Sequence, residues 1–334
     1  MNPELLTLLR EVGITTRLEW SDVVTVYNYA PVPVAYRTSD VGYNRGFNLV
    51  VLDGATPTHF VKCRPAHDAT LIRESRIRAT LSQQRTSGIA VGVVTVASSS
   101  RLSIQASPFL LGPHYGDVIQ QMPSDDYVNS LAGVLGGIFD VASAALRNLP
   151  EFFQHPPSLD LATVANESLS LVSDLASLSD GERLALTHAV VHAGAVAPRP
   201  QHGDFWWQNL ILADGTLWAI DFDSYGESNV PLFDELTMLI TTLGLRCGSV
   251  TKALQHLESR HPEAVSCRAL LRRCAAAQGV VNYQLNGLLV YYLTHMAATI
   301  YRRGGRAFSV AHVAAVRFAA ERLAAGEESL LAHE

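Results

Sequence analysis

The chain reads as an α+β protein of two lobes, strands first and helices after. Three observations predict this. Runs rich in β-branched and aromatic residues, separated by turn signals, fill roughly the first 110 residues. From about residue 126 apolar residues recur at three- and four-residue spacing, the helical period. Amid the helices, a single stretch, Gln201–Leu236, returns to a strand pattern and concentrates carboxylates. The segregation predicts a small strand-rich lobe over 1–112 and a larger, mainly helical lobe over 113–334.

Composition sets bounds. The 334 residues suffice for two modest lobes. A hydrophobic share of 48% with 17% charged residues excludes a disordered chain. A net charge of −6 leaves no electrostatic footprint for nucleic acid. Cys63, Cys247, Cys267 and Cys274 show no paired metal spacing. They read as reduced thiols and point to the cytoplasm. Met1-Asn-Pro-Glu lacks the basic start of a signal peptide. The apolar segment Val280–Ile300 carries Asn282, Gln284, Asn286 and His295, which a membrane span bears poorly. A buried helix is expected there, and no membrane partner.

In chain order, Leu5, Leu8 and Leu9 share a face of a short helix over 4–12. Val23–Tyr27 and Pro33–Arg37 are strand-like. Ser39–Gly46 follows, then a strand over Phe47–Leu52, an Asp53-Gly54 turn and a strand over Thr58–Cys63. Gly42 and Gly46 flank a turn that fits either an ordinary hairpin loop or one whose backbone covers a phosphate. No G-K-[ST] follows, which excludes a Walker A loop. Lys62 stands mid-strand between apolar neighbours. A helix over about 68–83 carries Glu74, which can pair with Lys62 or with Arg73, Arg76 and Arg78 on its own helix. Ile89–Val96 and Arg101–Gln105 read as a hairpin. Ser107–Pro113, extended and broken by prolines, reads as a hinge between lobes.

Helices follow. Leu131, Val134, Leu135, Ile138 and Val141 line one face of a helix over 128–146, which Leu149-Pro150 ends. Ser158–Leu178 holds one or two helices. Ser179-Asp-Gly-Glu182 is a helix start with an acid in the first turn, and Leu184–Val196 continues it until Pro198 and Pro200.

The stretch from Gln201 then carries chemistry. Asn209–Ala213 and Thr216–Ile220 are apolar runs joined by Asp214-Gly215, a strong hairpin signal. The hairpin's return predicts that Asn209, at its entry, and Asp221, at its exit, lie close together. An Asn carbonyl and an Asp carboxylate are hard oxygen ligands that suit Mg²⁺. Asp204, five residues before Asn209, can accept a proton from an incoming hydroxyl. These are the components of a phosphoryl-transfer site.

HGDFWWQN followed by AIDFD resembles the aminoglycoside phosphotransferase and choline kinase-like family, whose loop reads H-G-D-x4-N and whose metal-binding strand ends in I-D. The resemblance implies a protein-kinase-like two-lobe fold. It implies transfer of the γ-phosphoryl group of ATP or GTP to a hydroxyl of a small molecule such as an antibiotic, sugar, nucleoside or amino alcohol. Asp204 matches the catalytic base, Asn209 and Asp221 the Mg²⁺ ligands, and Asp234 the helix-starting residue that braces the catalytic loop. Lys62 and Glu74 match the pair that holds the nucleotide phosphates, and Ser107–Pro113 the segment whose backbone meets the purine. His202 takes a scaffold role and Asp223 a supporting or auxiliary ligand role. Trp206, Trp207 and Glu227 are candidate acceptor contacts.

After Asp234 helices are expected over about 232–245, 249–260, 262–278, 281–303 and 309–326. Tyr283, Gly287 and Tyr291 share a face that either lines a pocket or satisfies internal hydrogen bonds. Two rivals remain. The short interval from Asp221 to Asp234 leaves no room for the long activation segment of a protein kinase. A non-catalytic pseudokinase that binds nucleotide or a partner protein is the alternative of another class.

Overall fold

The structure, a computed structural model, describes residues 3–14, 23–27, 30–33, 46–66, 68–84, 86, 88–150, 158–326 and 331. The chain separates into two compact units. Met1–Arg85, Ala90–Pro113 and Ile211–Asp223 form the first; Thr86–Ile89, His114–Leu210 and Ser224–Glu334 form the second.

The first unit begins with α1 (Pro3–Glu11), β1 (Val23–Tyr27), β2 (Ala30–Pro33), β3 (Phe47–Asp53) and β4 (Thr56–Pro65). It continues through α2 (Ala69–Leu81), β5 (Ala90–Val91), β6 (Thr95–Ser98) and β7 (Leu102–Pro108). An antiparallel sheet runs in the order β2-β1-β3-β4-β7-β6. Gly54, at φ +60°, closes the β3–β4 turn where Asp53-Gly54 predicts it. Alternation sends Leu49, Val51, Val61, Cys63, Ile104 and Ala106 to one core, which Leu5, Leu8 and Leu9 of α1 cover. The opposite face carries Lys62 and its cross-strand partner Gln105. There Gln105 donates to Ser75 of α2 at 2.9 Å. Gly42 and residues 34–37 of the expected second strand lie outside the described residues.

In the second unit, α3 (Tyr115–Ile119) and α4 (Ser124–Asn148) come first. β8 (Leu159–Asp160), α5 (Leu161–Leu175), α6 (Asp180–Ala193) and β9 (Ala195–Val196) follow, with β8 and β9 antiparallel. Ser179 and Glu182 form a reciprocal capping box that starts α6, as their spacing predicts. β10 (Leu210–Ala213) and β11 (Thr216–Ala219) then return the chain to the first unit. The second unit resumes with α7 (Phe233–Cys247), α8 (Val250–Glu258), α9 (Pro262–Ala277), α10 (Leu285–Gly304) and α11 (Arg306–Ala324). α4 buries the predicted stripe of Leu131, Val134, Leu135, Ile138 and Val141. By length and composition α4 could cross a membrane; half of its most apolar window is buried inside the protein, as in a core helix. α7 is buried on nearly every side, and α10 packs on α5, α6 and α11.

Two expectations are corrected. Ile89–Val96 forms the arm of a hairpin only at its end, where Thr95 and Val96 pair with Ala106 and Gln105. β6 pairs with β7, while β5 joins β11 in parallel, Trp218 opposite Ala90. The break falls at Gly92, whose carbonyl accepts from Arg78 Nε at 3.1 Å. Gly287 does not face a pocket. A Cβ there would lie 2.5 Å from Ala193 Cβ and 2.6 Å from Ala189 O, so the missing side chain lets α10 approach α6.

Candidate phosphoryl-transfer site

In the first unit Lys62 is the centre of a charge cluster. Its strand neighbours Val61 and Cys63 face the apolar core, so the pleat turns Lys62 toward α2. Its Nζ lies 2.9 Å from Glu74 Oε2, 2.7 Å from Asp221 Oδ1 and 2.8 Å from Asp223 Oδ1. Asp68 caps the helix that delivers Glu74, accepting from Leu71 N–H at 2.9 Å. Glu74 is 1% exposed and spends its other oxygen on Arg78, four residues on, and on the Phe222 N–H. Both sequence alternatives for Glu74 therefore hold at once: it pairs with Lys62 and with a cation of its own helix. Burial opposes the charge on Lys62, but Glu74, Asp221 and Asp223 outweigh it and raise the lysine above its usual range. Burial opposes the Glu74 charge too, and Lys62 with its other partners still holds the carboxyl below the usual value. Asp223 goes the other way: burial and the adjacent Glu74 push it up.

This donor set fits a small divalent cation. Glu74, Asp221 and Asp223 each offer an oxygen within 4.8 Å of the others. Against three carboxylates stand two buried cations, Lys62 and Arg78, so negative charge is left over. The Asp221 and Asp223 side chains, 40% and 36% exposed, keep access to solvent. Asp221 adopts φ +60°, a left-handed backbone that Asp tolerates better than most residues and that marks functional turns. Asp223 meets Lys62 as closely as Asp221 does, although the sequence alone ranks it lower. Arg78 was legible only as a local helix partner; its place on the buried stripe Leu71, Glu74, Ile77, Arg78, Leu81 is the signal.

The loop with Asp204 belongs to the second unit. Residues 199–201 run beside 226–229, through Arg199 N–H to Asn229 O and Gln201 N–H to Ser228 O. Asp234, at the start of α7, accepts from the N–H groups of His202 and Gly203, the second at 3.0 Å. In return its own N–H donates to the Gln201 side chain at 2.9 Å. Asp234 thus ties the backbone of that loop to the start of α7. Burial and the Glu235 charge push its pKa up, while the two amides oppose them. His202 is buried, its ring edge-on to Phe205 and Tyr225. Asn209 closes a short 3-10 turn, Trp207–Asn209, and its Nδ2 donates to Asp204 O at 2.8 Å and Asp204 Oδ2 at 3.3 Å. With the nitrogen so engaged, Oδ1 is the end left to act as a ligand.

Beside Asp204 the second unit holds a cavity of about 670 Å³. Trp206, Trp207 and Glu227 line it, with Tyr291 and His295 of α10. Trp206 and Trp207 lie 5.5 Å apart at 54°, so the adjacent indoles form one wall. Trp207 is pressed onto Gly116 of α3, where a Cβ would stand 2.2 Å from its ring. The α7–α8 junction and His312 of α11 complete the lining, contributions that no local motif announces. Tyr283 lines a different cavity, against α6. Glu235 is buried: α7 turns it inward to accept from Gln278. In the first unit, Ser107–Pro113 docks by Phe109 N–H to Thr58 O and by Leu212 N–H to Pro113 O. Gly46, at φ +68°, approaches the Cys63 carbonyl too closely for a side chain.

No family model matches the chain, and no curated protein matches it by sequence. Solved structures do match it. APH(2")-IIia in complex with GDP and kanamycin is 14% identical, with 96% of this chain and 98% of that one covered at a TM-score of 0.50. A thermostable mutant of aminoglycoside phosphotransferase APH(4)-Ia, in a ternary complex with ADP and hygromycin B, is 10% identical over 96% and 98% at 0.51. Glucosamine kinase with glucosamine, ADP and inorganic phosphate is 12% identical over 82% and 79%, also at 0.51. The two-lobe α+β fold expected from HGDFWWQN and AIDFD is therefore the fold of this chain, and it is shared with phosphotransferases of small molecules.

Proposed function

We propose that the protein is an ATP- or GTP-dependent kinase that transfers the γ-phosphoryl group to a hydroxyl of a small molecule. The observation that carries this reading is the Lys62 ammonium, buried against Glu74 and set 2.7 and 2.8 Å from the half-exposed Asp221 and Asp223. The bound GDP and ADP of the structural neighbours support a nucleotide co-substrate.

Lys62 binds the nucleotide's phosphate oxygens, oriented by Glu74, which Arg78 steadies in turn. Asn209 and Asp221 would hold Mg²⁺, with Asp223 beside them, and the ion would neutralise charge on the phosphate oxygens. Asp204, positioned by Asn209 and by the loop that Asp234 braces, accepts the proton of the acceptor hydroxyl. A bond forms between that oxygen and the γ-phosphorus while the bond to the leaving oxygen breaks. The electron pair leaves with the nucleoside diphosphate. Four free cysteines fit a reducing, cytoplasmic setting.

The test is Mg²⁺-dependent consumption of ATP and GTP against pools of sugars, amino alcohols, nucleosides and antibiotics. Mass spectrometry reads the gain of one phosphoryl group. Asp204→Ala should lower turnover by about 10²–10⁴-fold while nucleotide affinity, read by calorimetry, stays within about twofold. Near-normal kcat in Asp204→Ala removes the base from the mechanism. Failure of the wild-type protein to bind either nucleotide ends the kinase reading.

A further inference from the structure

The cavity beside Asp204 is built for an acceptor without charge. We propose that it takes a neutral, ring-bearing polyol, a glycoside with an apolar substituent, and not a polycation. The inference rests on the kinase reading and adds the class of substrate.

Size comes first. A cavity of about 670 Å³ falls in the range that holds a sugar carrying a further ring. One wall is the tilted pair of Trp206 and Trp207, continued by Leu245, Met296 and Ile300. Indole faces pack against the C–H face of a pyranose or against an aromatic substituent.

Charge decides the class. Among the described residues, Asp204, Glu227 and Arg303 are the charged side chains in the lining, given that both histidines are neutral. Asp204 is committed to the reacting hydroxyl. Glu227 and Arg303 are exposed, so water screens them, and their charges are opposite. Burial keeps His295 and His312 below their usual pKa, and Arg302 and Arg303 add to the effect at His295. A polycation entering this cavity sheds water from several ammonium groups and meets one carboxylate beyond the base, at the rim. Desolvation then outweighs attraction.

The remaining polar groups match hydroxyls. Thr299 both donates and accepts, as a sugar hydroxyl does. Thr241, whose proton goes to Thr237 O, still accepts, and Tyr291 and His295, 3.4 Å from one another, each keep a second hydrogen-bonding position. The His312 ring nitrogens are buried without a hydrogen-bond partner among the described residues. A buried polar group in that state carries an uncompensated desolvation cost, which a ligand hydroxyl, met by a small turn of the ring, relieves.

The experiment is equilibrium binding by calorimetry to the full chain, with Mg²⁺ and AMP-PNP present. The probes are phenyl β-D-glucopyranoside and phenyl β-maltoside on one side, kanamycin and spermidine on the other. Expected is an affinity for a neutral glycoside at least about tenfold above either polycation, unchanged between low and high salt. Trp206→Ala should weaken glycoside binding by about tenfold, with Trp206→Phe restoring most of it. Thr299→Glu, which places an acid inside the cavity, should raise kanamycin affinity. Tighter, salt-sensitive binding of a polycation by the wild-type protein overturns the substrate class. So does the absence of glycoside binding while AMP-PNP binds; both leave the kinase reading standing. Loss of AMP-PNP binding itself overturns that reading, and the substrate class with it.

Discussion

Lys62 holds together a set of charges that could not otherwise be buried. Glu74 is 1% exposed, and Arg78 reaches it only at 3.4 Å. Lys62→Met should therefore destabilise the protein by about 3 kcal/mol, the low end for breaking a buried pair, because Arg78 still offsets some of the charge. Chemical denaturation measures the loss, and adding Glu74→Gln should recover most of it. A second buried acid sets a pH dependence. Burial lifts Glu235 from 4.5 to about 7, and its Oε2 has no hydrogen-bond partner among the described residues. Between those two pH values the folded chain holds a proton that the unfolded chain releases. Glu235 therefore costs stability as pH rises through the window, and the loss is complete above about pH 7. Glu235→Gln removes that slope. Relative to wild type the variant should gain roughly 2–3 kcal/mol between the two ends of the window. Denaturation curves across the window read it directly. Asp204, Asn209 and Asp221 stand out in the sequence because they sit in one contiguous motif. Glu235 was not, since its burial depends on Gln278, far along the chain.

Most elements follow from local patterns. Asp68 and the Ser179–Glu182 box start their helices where the sequence puts them, and the stripe on α4 is buried as its period requires. α2 is less transparent because its buried stripe contains Glu74 and Arg78, two charges whose burial makes sense only once Lys62 is placed opposite. β5 was misjudged for a related reason. Its partner is β11, and nothing in Ile89–Val96 names a strand more than a hundred positions away. Gly287 shows the same limit, since only its packing against Ala193 distinguishes it from a helix-weakening glycine. Gly287→Ala should cost about 1–3 kcal/mol by overpacking, less up to ~1 kcal/mol returned by the better helix former. Thermal unfolding checks the sign. A stabilised variant would show that α10 can move away from α6 without loss.

At the scale of the molecule, the passage from strands to helices was visible in the order of hydrophobic periods, and the fold class with it. The division into units is not a single cut. The first unit takes Ile211–Asp223 from within the second, and with it a strand for β5 and two of the three carboxylates on Lys62. A fragment ending at residue 113 should then lack a cooperative unfolding transition. Supplying residues 201–236 as a separate peptide should restore at most a fraction of it. Circular dichroism under denaturant titration measures both, and a fragment as cooperative as the whole chain would show that the hairpin is dispensable.

The pairing of Trp218 with Ala90, and of the Phe222 N–H with Glu74, also fixes an order of events during synthesis. The amino-terminal sheet can collapse early on the ribosome, but its charge cluster stays incomplete until residue 223 has cleared the exit tunnel. A pause in translation before that point would leave Glu74 and Lys62 in a half-built environment, the interval in which a chaperone would find this chain most in need of shelter.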